Sequence, residues 1–190
     1  MRRVVNIGIN DTNFKITKNG KKLKSYEVWQ CMLLRCYSRS KFTVAYESCS
    51  VCTEWLYFSN FKKWFDKNYI EGYHLDKDII IKGNKIYSPE TCCFIPQEIN
   101  KLFTRRTRMR GDLPIGVSLE RKTKGFVSSM THNGESKYLG FYKTKEDAFL
   151  AYKREKERLI KELAEEYYNK GMISETVRNA MFKYNVKITD

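Results

Sequence analysis

His74, Asp76 and Asp78 stand at alternate positions in the stretch GYHLDKD, in a chain that has only two histidines. On an extended strand alternate side chains share one face, so an imidazole and two carboxylates would converge on one side. That set suits a hard divalent cation such as Mg²⁺ or Mn²⁺, held by Asp76 with Asp78 as a second ligand. His74 beside them could take a proton from water. The same residues also describe a polar strand edge, with His74 a surface or packing residue and Asp78 a solvated charge.

Composition indicates which substrate such a site would meet. The chain has 190 residues, 42% of them hydrophobic, and a formal net charge of +14. It can bury a core, and it is drawn to polyanions, nucleic acid first among them. The charge is uneven: residues 1–68 hold 13 Lys+Arg against 5 Asp+Glu, residues 101–143 hold 10 against 3, and residues 69–100 hold 3 against 5. An acidic segment between two basic ones fits a protein that grips phosphates on both sides of a bound cation. No apolar run is long enough to cross a bilayer, and MRRVVNIGIND lacks the apolar core of a signal peptide. These features predict an intracellular, membrane-free protein with reduced cysteines.

The elements that must position these residues follow from periodicity. KITKNGKKL carries Asn19-Gly20 between short runs, a hairpin signal. SYEVWQCMLLRCYS places Val28, Trp29, Met32, Leu33 and Cys36 at helical spacing, with Ser25 as the expected N-cap. TEWLYFSNFKKWFDKN repeats Trp55, Phe58, Phe61, Trp64 and Phe65 at steps of three and four, which predicts a second helix with a core-facing aromatic stripe. Residues 73–94 read as a strand HLDKDIII, a turn at Gly83-Asn84, a short strand and a turn at Ser88-Pro89, with PQEINKLF as a short helix. TRRTRMRGDLP (104–114) reads as a basic linker whose Arg105, Arg106, Arg108 and Arg110 can lie on a DNA backbone. Three alternating runs broken at Lys124-Gly125 and Asn133-Gly134 predict an antiparallel meander. A long helix from Thr144 to about Asn169 would cover one face of that small sheet, and a last helix is expected over 174–184. The expected fold class is α+β.

The run from Gly116 to Tyr152 resembles the apetala/ethylene-response type of DNA-binding domain. The resemblance rests on Gly116-Val117-Ser118, Phe126, Leu139-Gly140-Phe141 and the helix opening Thr144-Lys145-Glu146-Asp147-Ala148-Phe149-Leu150-Ala151-Tyr152. It implies a three-stranded sheet laid in the major groove of double-stranded DNA, over a domain spanning 115–170. Carried over by position, the groove-facing residues would be Arg121, Lys122, Lys124, Ser128, Met130, His132 and Lys137. Arg121 alone offers a bidentate fork for guanine, and the lysines suit phosphates.

WQCMLLRCYS, CSVCTEWLYFSNFKKWF, LDKDIIIKGNKIYSPETCCF and the early NIGIND resemble bacteriophage HNH or homing endonucleases, many of which carry the same kind of module behind the nuclease part. The resemblance implies a ββα-metal module at about 73–103 within a first domain over 1–103. It also implies metal-dependent hydrolysis or nicking of DNA in an infected bacterial host. Asp76 falls on the first-strand metal ligand and Asn100 on the helix ligand. Lys77 stands where the general-base His normally is, and Thr91 where an Asn is usual. His74 is then the substitute base, with Lys77 on phosphates. Two readings stay open: a Mg²⁺- or Mn²⁺-dependent endonuclease, or a lapsed one that acts by binding alone, as a DNA-bound regulator or an inhibitor of a host defence through a protein partner. A monomer is expected.

Cys49 and Cys52 with Cys92 and Cys93 supply four thiols that a structural zinc could use. Cys92 and Cys93 are adjacent, however, which splays their side chains apart on a strand, and buried packing is the preferred reading.

Overall fold

The computed structural model describes residues 2–38, 43, 46–103 and 112–190, so the arginine-rich stretch with Arg105, Arg106, Arg108 and Arg110 lies outside the described residues. The fold is mixed α+β, in two compact units, Met1–Gln97 and Glu98–Asp190. The division falls earlier than residue 103, and the helix Gln97–Phe103 groups with the second unit. Among the described residues, no helix is long and apolar enough to cross a membrane.

The first unit opens with the hairpin β1 (Arg2–Val4) and β2 (Gly8–Asn10), then β3 (Thr17–Lys18) and β4 (Lys21–Lys22). Asn19 and Gly20 turn the second hairpin with φ of 51° and 74°, the left-handed pair that an Asn-Gly turn supplies. Helix α1 (Lys24–Tyr37) starts at Leu23, not at Ser25: Ser25 is buried inside the first turn, and no side chain caps the end. A 3-10 turn (Thr53–Leu56) leads into α2 (Phe58–Asn68). Asp11 of NIGIND caps α2 from a distance, accepting the Ser59 N–H at 2.9 Å and the Ser59 hydroxyl at 2.5 Å. An N-terminal carboxylate is favoured there by the helix dipole.

The aromatic stripe is core. Trp29, Trp55, Phe58 and Phe61 are fully buried, and the Trp29 indole N–H donates to the Trp55 carbonyl at 2.6 Å, joining α1 to the 3-10 turn that leads into α2. β5 (Ser50–Val51) pairs in parallel with β7 (Ile86–Tyr87), and β6 (His74–Asp76) pairs antiparallel with β8 (Cys93–Ile95). Phe94 on β8 is held by Trp64, Phe65 and Tyr69, with ring centroids 5.3 to 5.5 Å away. The stripe on α2 therefore fixes the strand pair that carries His74 and Asp76.

The second unit holds all but the first residue of α3 (Gln97–Phe103) and contains the expected meander: β9 (Val117–Glu120), β10 (Gly125–His132) and β11 (Glu135–Tyr142), in the order β11-β10-β9. Helix α4 (Lys145–Asn169) packs on one face, burying Ala148, Phe149 and Tyr152 against Val117 and Met130. Its N-cap is Thr144, whose Oγ1 accepts the Asp147 N–H at 3.1 Å and donates to the Asp147 carboxylate at 2.7 Å. Ser174 caps α5 (Glu175–Phe182) in the same manner.

Gly116 has φ +77°, and a Cβ there would lie 2.0 Å from the Tyr152 ring. Both the left-handed backbone and the seating of α4 on β9 thus exclude a side chain. Gly116→Ala is expected to destabilise the second unit by roughly 2–4 kcal/mol, from strain added to overpacking. A thermal melt checks this, with Gly134→Ala, whose Cβ meets nothing, giving the cost of the backbone conformation alone.

Candidate functional site

The meander has two faces with different environments, and cross-strand register assigns residues to each. Phe126, Ser128, Met130 and His132 of β10 lie on the α4 side: Ser128 and Met130 are buried beneath the helix, and His132 Nε2 is 3.6 Å from Glu98 on α3. The expectation that Ser128, Met130 and His132 read a groove is therefore corrected. Met130 is the apolar residue of β10 that the helix needs, and alternation carries Ser128 and His132 inward with it. The Ser128 hydroxyl has no hydrogen-bond partner among the described residues.

Glu98 ties this side together. It accepts the Asn133 amide at 2.8 Å and the Tyr167 hydroxyl, joining α3, the β10–β11 turn and α4. The Tyr167 and Asn133 bonds hold its carboxyl below the ordinary glutamate value.

Lys137 also lies on the α4 side. β11 carries a bulge where the register shifts between Ser128 and Ser129: Gly140 faces Ser128, Tyr138 faces Ser129, and Leu139 is the extra residue. Gly140 takes φ +129° in that bulge. One extra residue reverses the alternation, so Lys137 pairs with Met130 and turns to α4, where its Nζ meets Glu155 at 2.8 Å. Hydrogen bonds from Arg158 and Lys137 hold the Glu155 carboxyl down to about 2. Lys137 is thereby corrected as a groove residue.

The bulge brings two aromatics to the uncovered face. Tyr138 pairs with Ser129 and Phe141 with Val127, and the two rings, three residues apart in sequence, are 65% and 45% exposed. Phe141 lies over Gly125, where a Cβ would come within 2.1 Å of the ring, so the face is smooth there. Ser118, Ser129, Thr131 and Ser136 add short polar side chains, and Val127 and Glu120 share the same face. Arg121, Lys122 and Lys124 are exposed in the β9–β10 turn at one end, with Lys124 at φ 52°. Sequence reasoning passed over Tyr138 and Phe141 as contact residues. Phe141 was visible within Leu-Gly-Phe, whereas Tyr138 depends on the bulge.

In the first unit, β6 ends at Asp76, so the strand is shorter than HLDKDIII and its alternation does not reach Asp78. His74 is exposed and pairs with Ile95, while Asp76 pairs with Cys93. Asp76 Oδ1 accepts the backbone N–H groups of Asp78 (2.9 Å) and Ile79 (2.7 Å). Burial raises its pKa first, the neighbouring Asp78 charge raises it further, and the two amide bonds only partly offset this. Lys77 turns inward: its side chain is 8% exposed, with Nζ 3.0 Å from Asp78 Oδ2 and 3.1 Å from the Asn84 carbonyl. Burial lowers the Lys77 pKa, but the Asp78 hydrogen bond and charge outweigh it, leaving the ammonium above the ordinary lysine value. A lysine so placed braces the loop and does not reach an outside phosphate, which corrects that expectation.

Asn84, unremarked in the sequence beyond its turn, locks the same loop. Its amide donates to the Lys77 carbonyl at 2.6 Å and the Ile86 carbonyl at 2.7 Å. Thr91 closes the next turn by donating to Ile86 O at 2.9 Å. Asn100 lies on α3 and thus in the second unit. Among the described residues no three of His, Cys, Asp and Glu gather into a group able to hold a metal ion. Cys49 and Cys92 are buried in the aromatic core, with Cys36 and Cys52 packed against it, and Cys93 is half-buried. Burial pushes the Cys36 and Cys92 thiols up to about 12 and the Cys93 thiol up as well, so all three are protonated at neutral pH.

Asp76 offers a test of which property matters, acceptor or charge. Asp76→Ala orphans two amides and should cost about 1–3 kcal/mol. Asp76→Asn keeps the acceptor and removes an ionisation that opposes folding. Because the folded-state pKa is raised, the wild type loses stability as pH rises through it. The Asn variant should therefore melt progressively higher than wild type from acid to neutral pH, as thermal melts across pH would register.

No family model matches the sequence, and neither a curated protein nor a solved structure was found to match it.

Proposed function

We propose that the chain binds double-stranded DNA through the uncovered face of β9–β11. The observation that carries this reading is the pair of exposed rings, Tyr138 and Phe141, set on the open sheet face among mostly short polar side chains, with Glu120 and then Arg121, Lys122 and Lys124 at one end. A β-ribbon of this kind fits the major groove, where hydroxyls reach base edges, apolar groups meet thymine methyls and a guanidinium can take guanine. The net charge of +14 adds the sequence-independent attraction to phosphates. The resemblance of residues 116–152 to the apetala/ethylene-response type supports the same use of the sheet.

The two faces give opposite expectations for binding. Arg121→Ala is expected to cost about 1–3 kcal/mol on a selected duplex and to relax base preference at one position. Tyr138→Ala should weaken binding as well. Ser128→Ala on the helix side should leave binding unchanged and stability equal or higher, since it removes a buried hydroxyl without a partner. Fluorescence anisotropy on a duplex enriched from a random pool measures all three, and equal affinities throughout would refute use of the open face.

A second reading, metal-dependent cleavage in the first unit, is favoured by one observation: Asp76 and Asp78 stand two residues apart at the end of β6, where burial first and the Asp78 charge second oppose ionisation of Asp76, while Lys77 pairs with Asp78. A divalent cation favours the ionised form of such a carboxylate. The oxygen donors of the two residues fit Mg²⁺ or Mn²⁺, which keep several waters and need few protein ligands. Asp76 and Asp78 would hold the ion, and it would supply charge stabilisation at the scissile phosphate. Exposed His74, two residues before Asp76 on β6, would be the base that activates water, while Lys77 and Asn84 keep the loop in shape. Supercoiled plasmid with Mg²⁺ or Mn²⁺ should be nicked by wild type and not by Asp76→Asn or His74→Ala. Cutting that survives both substitutions would move the chemistry elsewhere, and intact plasmid throughout would leave the protein acting by binding alone.

A further inference from the structure

We infer that the β3–β4 hairpin is a second DNA contact, a basic ribbon carried by the first unit; the inference rests on the duplex-DNA reading above. From Asn13 to Tyr26 the chain holds five lysines and no carboxylate. The base of the hairpin is anchored: the Leu23 N–H donates to the Ile16 carbonyl at 2.8 Å, and both side chains pack against the aromatic core. Beyond that base every residue from Thr17 to Lys22 is exposed, so the ribbon projects from a fixed root. Its tip sets Lys18 directly opposite Lys21. Like charges in that position repel and destabilise the hairpin. Among the described residues, no carboxylate lies within ion-pair range of Lys15, Lys18 or Lys21, whereas Lys22 donates to Gln30 at 2.9 Å and Lys24 faces Glu27 at 3.6 Å.

A cross-strand lysine pair without a counter-charge is a site for an outside anion. Two closely spaced ammonium groups on a narrow two-stranded ribbon match successive phosphates of a duplex, and the ribbon is slim enough to follow a groove. The contact would be with the backbone, adding affinity and no base preference, because lysine is a point charge without a fork.

Counterion release tests this on the full-length chain. Duplex affinity is measured against salt for wild type, for Lys15→Gln/Lys18→Gln/Lys21→Gln, and for the matching triple arginine variant, with thermal melts to confirm folding. Each phosphate contact contributes about 0.9 to the slope of log K against log salt, so the glutamine triple should show a slope smaller by about 2–3. Between about 50 and 200 mM salt, wild type should lose roughly 40-fold more affinity than the glutamine triple on that slope difference. The arginine triple should keep the wild-type slope. Wild-type binding with an unchanged slope in the glutamine triple would overturn the ribbon and leave the sheet reading intact. Failure of wild type to bind any duplex would overturn the sheet reading, and the ribbon with it.

Discussion

A three-stranded sheet has two faces, and this chain supplies one long helix to cover it. Which face α4 takes decides the role of every residue on β10 and β11. The covered face must be apolar enough to seat Ala148, Phe149 and Tyr152, and Met130 and Val117 meet that need. Once they are turned inward, alternation commits Ser128 to a buried site and His132 to the side of Glu98, and what remains outward is the surface available to a partner.

The bulge at Leu139 adjusts this division. By reversing alternation within β11 it directs Lys137 to Glu155 on α4, a charge pair that ties sheet to helix, and it places Tyr138 beside the same outer face as Phe141. A strand without the bulge would leave one of these aromatics under the helix and one lysine outside. The outer face would then carry Phe141 and Lys137, with Tyr138 turned inward. The extra residue exchanges that lysine for a second ring.

The first unit applies a comparable constraint with aromatic rings. Tryptophans on α1 and on the 3-10 turn before α2 meet through the Trp29–Trp55 hydrogen bond, and rings of α2 close around Phe94. This fixes β8 and therefore β6, which bears His74 and Asp76. The loop after β6 is then braced internally: Asp76 by two amides, Lys77 by Asp78 and the Asn84 carbonyl, and Asn84 by two carbonyls. Lys77 thus works as a buried strut, consistent with the raised pKa that its anionic neighbour gives it.

Local chemistry determined much of this molecule from sequence alone. Asn19-Gly20 can turn tightly because both tolerate positive φ, Thr144 and Ser174 offer oxygens to orphan amides, and the three- and four-residue aromatic spacing can only bury its rings as a helix. The meander, the long helix and the aromatic core were legible for those reasons. Side-chain direction was not. Ser128, Met130 and Lys137 sit where a strand pattern admits either face, and the choice depends on where α4 lands and on a bulge that Gly140 permits without fixing its register. The reach of the strand at Asp76 was hidden in the same way, since Asp78 and Lys77 read as strand residues until Asn84, seven positions on, closes the loop over them. Sequence determined which elements form, because their signals are local; tertiary structure decided which side chains face outward, because that depends on contacts between residues far apart in the chain.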